Sequence, residues 1–178
     1  PNDKPVVPVV IEKVEIARKG DKYAKYDGVE AFEAAKANHS KKQAEAEAKV
    51  KAEKDAEIAR QKELEAKAQT TPSGLKYVIL EEGKGAKPAQ GDAIQTHYTL
   101  RLNDGEKLDS SYDRNQPLDV TVGVTGLIQG WMEALTMFNK GTKVFLIIPA
   151  QLGYGDRGAG GVVPPNATLY FDMEVLDK

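Results

Sequence analysis

Hydrophobic and polar positions change period along the chain, and the longest regular stretch begins near Thr71. Near the C-terminus Leu169, Phe171, Met173 and Val175 alternate with Tyr170, Asp172 and Glu174. A period of two predicts a strand with one buried face. The same reading gives strands at Leu75–Leu80, at Ile94–Leu102, at Leu108–Ser111, at Leu118–Val122 and over the apolar run Thr142–Ile148. Gln90-Gly91-Asp92 and Asn103-Asp104-Gly105 supply turns, and Asp113 to Pro117 interrupts the ladder with a polar bulge or loop. Between Val122 and Thr142 the period changes. Leu127, Ile128, Trp131, Leu135 and Phe138 recur at three and four, which predicts one short amphipathic helix stopped by Lys140-Gly141. About five or six strands with one helix argue for an α+β domain, a twisted antiparallel sheet with the helix against one face.

From about Asp27 to Gln69 the composition shifts to Ala, Glu, Lys and Gln without proline. These residues favour helix. Glu45 with Lys49, Glu47 with Lys51 and Glu63 with Lys67 are supporting pairs at i, i+4. Some 40 residues of helix would span roughly 60 Å. Val29, Phe32 and Ala35 make an apolar patch on the first turns; beyond them only Val50, Ile58 and Leu64 are large and apolar. A coiled-coil dimer stalk and a solvated spacer helix both fit, and the broken heptad favours the spacer. Lys and Glu interleave, which argues against a nucleic-acid arm. Thr71-Pro72-Ser73-Gly74 is a turn that marks the domain boundary.

Ahead of the helix, Val9 to Ile16 is rich in β-branched residues and reads as one strand, ended by Lys19-Gly20. A lone strand needs a partner. The sheet edge of this chain, a second copy, or a domain outside this sequence could supply it.

With 178 residues, a net charge of −2 and no cysteine, the chain has no electrostatic reason to seek nucleic acid or an anionic membrane, and no thiol or disulfide chemistry. No apolar run reaches the ~18 residues of a membrane span. The sequence begins at Pro1 without a signal pattern, and we read it as a piece of something longer whose localisation signal is lost. The catalytic sets of hydrolases are missing. His39 and His97 have no carboxylates at metal-ligand spacing, and His97 beside Tyr98 reads as structural. The glycines around Tyr154 do not join a strand to a helix as a phosphate loop does. An aromatic and aliphatic set remains: Tyr98, Trp131, Tyr154, Phe171, Leu127, Ile128, Val162 and Val163, with Asp109 and Arg114 near in the chain. Leu100, Leu135, Phe145 and Met173 read as core. Trp131 needs a partner for its indole N–H when buried, and Tyr154 between two glycines does not read as core.

His97-Tyr98-Thr99, Leu102-Asn103-Asp104-Gly105, Asp109-Ser110-Ser111, Asp113-Arg114, Gly123, Leu127-Ile128-Gln129-Gly130-Trp131, Gly141, Tyr154-Gly155, Pro164-Pro165-Asn166-Ala167-Thr168-Leu169 and Phe171-Asp172 occur in this order. Together they resemble the FKBP-type peptidyl-prolyl isomerase pattern over about Ser73 to Lys178. The lead-in Pro72-Ser73-Gly74-Leu75-Lys76-Tyr77 resembles that of bacterial stalked members. The stretch from Pro8 to Gly20 resembles the closing strand of bacterial cyclophilin domains, which would suit a cyclophilin–FKBP fusion. The organisation expected is an N-terminal strand over 1–20, as a remnant of a cyclophilin-like domain, a long charged linker helix over 21–71, and an isomerase domain over 72–178.

The resemblance implies a five- to six-stranded antiparallel half-barrel sheet wrapped on one short helix. It implies catalysis of Xaa-Pro isomerisation without metal or cofactor. Trp131 would floor the pocket, and Tyr98, Phe171, Val162 and Val163 would be its walls. Tyr154 would offer its hydroxyl and Ile128 its N–H to the peptide. Asp109 would stand at the edge with Tyr98 and Arg114. Tyr154, Asp109, Tyr98 and Phe171 are the expected catalytic set; Trp131, Leu127, Ile128, Val162, Val163, Leu108, Leu118 and Arg114 are expected to bind substrate. Leu108 and Leu118 replace Phe of many relatives, and Ala159 replaces a His of some, so a smaller aromatic wall is expected. Partners implied are proline-containing unfolded or nascent polypeptides, macrolides of the rapamycin and tacrolimus type, and a second copy through the N-terminal strand or helix. The compartment implied is bacterial cytoplasm or periplasm. The alternative is a binding module or chaperone with the same pocket and little turnover.

Overall fold

A computed structural model describes residues 27–176. The strand expected at Val9 to Ile16, and the cyclophilin likeness it carries, lie outside the described residues. The chain divides between Lys49 and Val50 into two compact units.

Helix α1 runs over Gly28–Lys67. It starts where Asp27 accepts hydrogen bonds from the backbone N–H groups of Val29 (2.9 Å) and Glu30 (3.2 Å), an N-cap that satisfies two orphan donors. In the first unit the helix is exposed throughout, except at Gly28 and Ala31, with Val29 and Phe32 open to solvent.

The second unit carries the rest: β1 Gln69–Thr70, β2 Lys76–Glu81, β3 Ala93–Arg101, β4 Lys107–Ser110, β5 Leu118–Thr121, α2 Gln129–Met137, β6 Lys143–Ile148, a 3-10 turn Ala150–Leu152 and β7 Leu169–Leu176. They form one seven-stranded sheet in the order β1-β2-β6-β7-β3-β4, with β5 also paired to β3, and every pairing is antiparallel. The six strands read from the periodicity are all there; the seventh, β1, is a two-residue edge. β3 takes β4 against Thr99–Arg101 and β5 against Ala93–Thr96 on one side, so the chain must leave the ladder between them. The polar segment Asp113 to Pro117 is that detour.

One face of the sheet packs on α2. From β7 come Leu169, Phe171, Met173 and Val175, all at most 4% exposed, and from β6 come Val144, Leu146 and Ile148. They meet Trp131, Ala134 and Leu135 of α2. Gly130 permits the close approach, since a Cβ there would lie 2.7 Å from Ile148 Cγ2. The other face has its own apolar patch, where Phe145, Ile147 and Tyr170 pack with Val78, Leu64 and Ala68. β6 is therefore buried on both faces, which is why it reads as an unbroken apolar run.

Leu64 belongs to α1, and here the structure departs from a solvated spacer. From Lys54 onward the helix lies along the sheet. Arg60 donates to Asp172, Lys76 to Glu65, Lys54 to Glu106, and the buried Gln61 amide donates to the Leu102 carbonyl (3.2 Å). Gly105 has φ 74°, and a Cβ on it would sit 2.7 Å from the Lys54 carbonyl, so glycine lets the hairpin touch the helix. The contacting helix positions 54, 57, 58, 60, 61, 64 and 65 lie on one side of the helix, but most are charged or polar and do not register as an apolar stripe.

Candidate active site

A cavity of about 470 Å³ opens between the α2 face of the sheet, the start of α2 and the segment after β6. Its base is aromatic. Tyr98 on β3, Trp131 on α2 and Phe171 on β7 form a cluster in which Trp131 meets Tyr98 at 5.2 Å and 86° and Phe171 at 5.3 Å and 77°. Edge-to-face contacts place the positive ring edge on the negative face of the neighbour. Trp131 is 3% exposed and its Nε1 has no hydrogen-bond partner in the structure. That orphan donor is a buried polar atom on a ring that lines the cavity.

Polar groups stand at the edge. Tyr98 OH donates to Asp109 Oδ2 (2.5 Å), Arg114 donates from Nη1 to Asp109 Oδ1 and from Nη2 to the Tyr98 oxygen (3.0 Å), and the guanidinium lies 5.8 Å from the Tyr98 ring centre. Burial opposes the charge on Asp109, but the hydrogen bonds from Tyr98 and Arg114 outweigh it and hold the carboxyl below its usual range. The Tyr98 phenol is pushed up by burial and then by its bond to Asp109. Both effects keep Asp109 ionised and Tyr98 neutral at physiological pH, the first a fixed acceptor and the second a fixed donor.

Of the residues expected in the site, Tyr98, Asp109, Leu118, Leu127, Ile128, Trp131, Tyr154 and Phe171 all line the cavity. Tyr154 is 40% exposed on the loop after the 3-10 turn. Ile128 is the N-cap of α2 and its carbonyl accepts from Trp131 and Met132. Arg114 acts from outside the lining through Asp109 and Tyr98. Leu108 packs half-buried on the core, Val163 is buried in it at 7%, and Val162 is 57% exposed. Val162 is the last residue of a tight turn closed by the bridge between Ala159 and Val163, so the two neighbours differ sharply in burial. Leu100, which the sequence reading gave to the core, is core and cavity wall at once. The sequence reading passed over Gln129 and Gln151 as site residues; their signal is their place beside Ile128 and near Tyr154 in the chain. His97 is structural: its Nδ1 bonds Ser111 Oγ (2.9 Å) and its ring stacks on Tyr112 at 4.3 Å. Among the described residues no cluster of three or more His, Asp or Glu could hold a metal ion, and no helix is long and apolar enough to cross a membrane.

An antiparallel sheet closed on one short helix, with an aromatic pit between them, defines a known class. The family model for FKBP-type peptidyl-prolyl cis-trans isomerases matches residues 84–176. The chain belongs to that family. It is 45% identical over 108 residues to the FKBP-type 22 kDa peptidyl-prolyl cis-trans isomerase of Escherichia coli, covering 61% of this chain and 52% of that protein. The chain thus spans about half the length of that relative. It is 50% identical over 97 residues to an FK506-binding protein of Neisseria meningitidis, covering 54% of this chain and 89% of that protein. The crystal structure of FkpA from Escherichia coli superimposes with a TM-score of 0.59 at 35% identity, over 86% of this chain and 73% of that one.

Proposed function

We propose that this chain accelerates cis–trans isomerisation of Xaa-Pro bonds in unfolded or nascent polypeptides, without forming a covalent intermediate. The observation that carries this is the Tyr98–Trp131–Phe171 cluster lining a cavity of about 470 Å³. A prolyl ring is an apolar object of the size such a pit accepts. The barrier it must lower comes from amide resonance, about 18–20 kcal/mol. The twisted amide has lost that resonance and part of its dipole, so a dry apolar surround disfavours it less than it disfavours the planar form. Tyr154 OH and the Ile128 N–H are the donors for the peptide carbonyls, and Asp109, held by Tyr98 and Arg114, fixes the Tyr98 ring as a wall. Lowering the barrier by about 5 kcal/mol would accelerate the reaction several thousandfold. The relatives' printed name supports a macrolide of the FK506 type as a competing ligand.

The test is exchange kinetics on a short Xaa-Pro peptide, with and without rapamycin. Turnover abolished by the macrolide supports both pocket and chemistry. A folded sample without turnover overturns the reading.

A second reading has support of its own. Val124, Met132 and Val162 are exposed apolar side chains. They suit a chaperone that holds unfolded segments irrespective of turnover, and suppression of aggregation retained in Tyr154→Phe would favour it. We also propose a linker over 21–71 and an isomerase domain over 72–178. The exposed Val29 and Phe32 support contact between two copies through α1. Light scattering over a concentration series tests it; a monomer throughout removes the idea.

A further inference from the structure

The cavity carries two primary amides. Gln129 is the first residue of α2, beside Ile128, and Gln151 sits in the 3-10 turn ahead of Tyr154. Both are exposed, so neither is needed to fill the core. The Gln151 amide rests over the turn before β2, where a Cβ on Gly74 would lie 3.6 Å from its Nε2. Asp109 is the one ionic side chain lining the cavity, and its charge is already taken by Arg114 and Tyr98. The other polar side-chain groups of the lining, namely Tyr154 OH, the Trp131 indole N–H and the two amides, are neutral.

A carboxamide donates and accepts at once, like a peptide unit, and a chain held by its proline ring brings neighbouring peptide groups to the rim. Desolvating those groups without partners is costly. A rim Lys or Arg would select acidic neighbours, and a rim carboxylate basic ones; an amide does neither. We propose that Gln129 and Gln151 are specificity-determining residues that hydrogen-bond the peptide groups flanking the target proline. The site then takes Xaa-Pro segments by their main chain and is indifferent to the charge of the adjacent side chains. This rests on the isomerase reading above.

The test uses the whole chain and a panel of short Xaa-Pro peptides with Leu, Glu or Lys beside the proline, plus analogues in which a flanking amide is replaced by an ester. Wild type should treat Glu and Lys peptides alike within about twofold. Gln129→Ala and Gln151→Ala should each raise KM roughly threefold to tenfold, with the change in KM rather than kcat and with unaltered melting. The ester should weaken wild type but add nothing in the variant that lost its partner. Gln151→Glu should turn the panel against the Glu peptide severalfold. Unchanged KM in both alanine variants, or an ester penalty equal in wild type and both variants, overturns the inference while leaving the isomerase reading intact. Absent turnover in folded wild type overturns the isomerase reading and this inference with it.

Discussion

Phe171 and Asp172 are neighbours on β7 that serve opposite faces of the sheet. The Phe171 ring closes the cavity against Trp131, and the Asp172 carboxylate accepts from Nη1 and Nη2 of Arg60 on α1, at 3.1 and 2.5 Å. One strand thus holds α1 on one side and the aromatic cavity on the other. Leu64 in the last turns of α1 and Ala68 just after it cover Phe145, Ile147 and Tyr170. A chain starting at Val50 should be more stable than one starting at Thr71 by about 2–4 kcal/mol, the scale of one to two apolar side chains covered. Urea unfolding of the two truncations measures this, and equal midpoints and slopes would sink it.

The ionic part of that contact is smaller. Arg60 and Asp172 are about one-third exposed, and solvent screens them. Arg60→Ala should cost about 1 kcal/mol, and the gap to wild type should narrow at high salt. Phe145→Ala, which leaves a buried hole at 1% exposure, should cost about 3–5 kcal/mol at any salt concentration. Thermal melts at low and high salt separate the two. A salt-independent Arg60→Ala would mean that its stem packing on Phe145, where the guanidinium lies 5.2 Å from the ring centre, carries the effect.

Most of the isomerase fold was legible from alternation alone, because β7 and β3 each bury one clean face. What was not legible was the second face. Phe145 and Ile147 read as more of the same core, and the helix that covers them offers Lys54, Glu57, Arg60, Gln61 and Glu65 at its contact positions. A polar seam leaves no hydrophobic stripe to read; the unbroken apolar run of β6 was the available clue. In the site, the rings were legible through family spacing. Val162 and Val163 were not separable, because only the turn at Ala159 gives one to solvent and one to the core.

Asp109 gives a pH prediction. Its pKa in the folded protein lies below the ordinary value near 3.9, so its contribution is complete above that value and is lost as pH falls through the lowered pKa. Macrolide affinity and stability should be flat from neutrality down to about pH 5 and decline below about pH 4. Asp109→Asn should flatten that part of the acid limb. A wild-type decline centred near pH 6 would point to a different group.

Tyr154→Phe removes one hydroxyl from a side chain that is 40% exposed. Loss of a hydrogen bond made to the bound peptide should lower kcat/KM by about tenfold while melting stays within about a degree of wild type. Activity equal to wild type would remove Tyr154 from the proposed donors and leave the Ile128 N–H to hold the carbonyl.

Leu118 tests how the cavity's wall sets affinity. It begins β5, pairs with Thr96 and lines the cavity half-buried. A ring there would add apolar surface facing the ligand without displacing a side chain from the main core, so Leu118→Phe should fold with a stability change under about 1.5 kcal/mol. Each further 50 Å² of apolar area covered by a bound macrolide is worth about 1.2 kcal/mol at 25 cal/mol per Å². The dissociation constant should fall roughly fivefold to tenfold. Turnover of a small Xaa-Pro peptide should change less, since a proline ring is smaller than a macrolide and can cover less of the wall. Fluorescence titration of Trp131, the one tryptophan of the chain, reads the binding directly. Weaker macrolide binding in Leu118→Phe would mean that the ring folds into the cavity and blocks it, and that the leucine is there to keep the pit open.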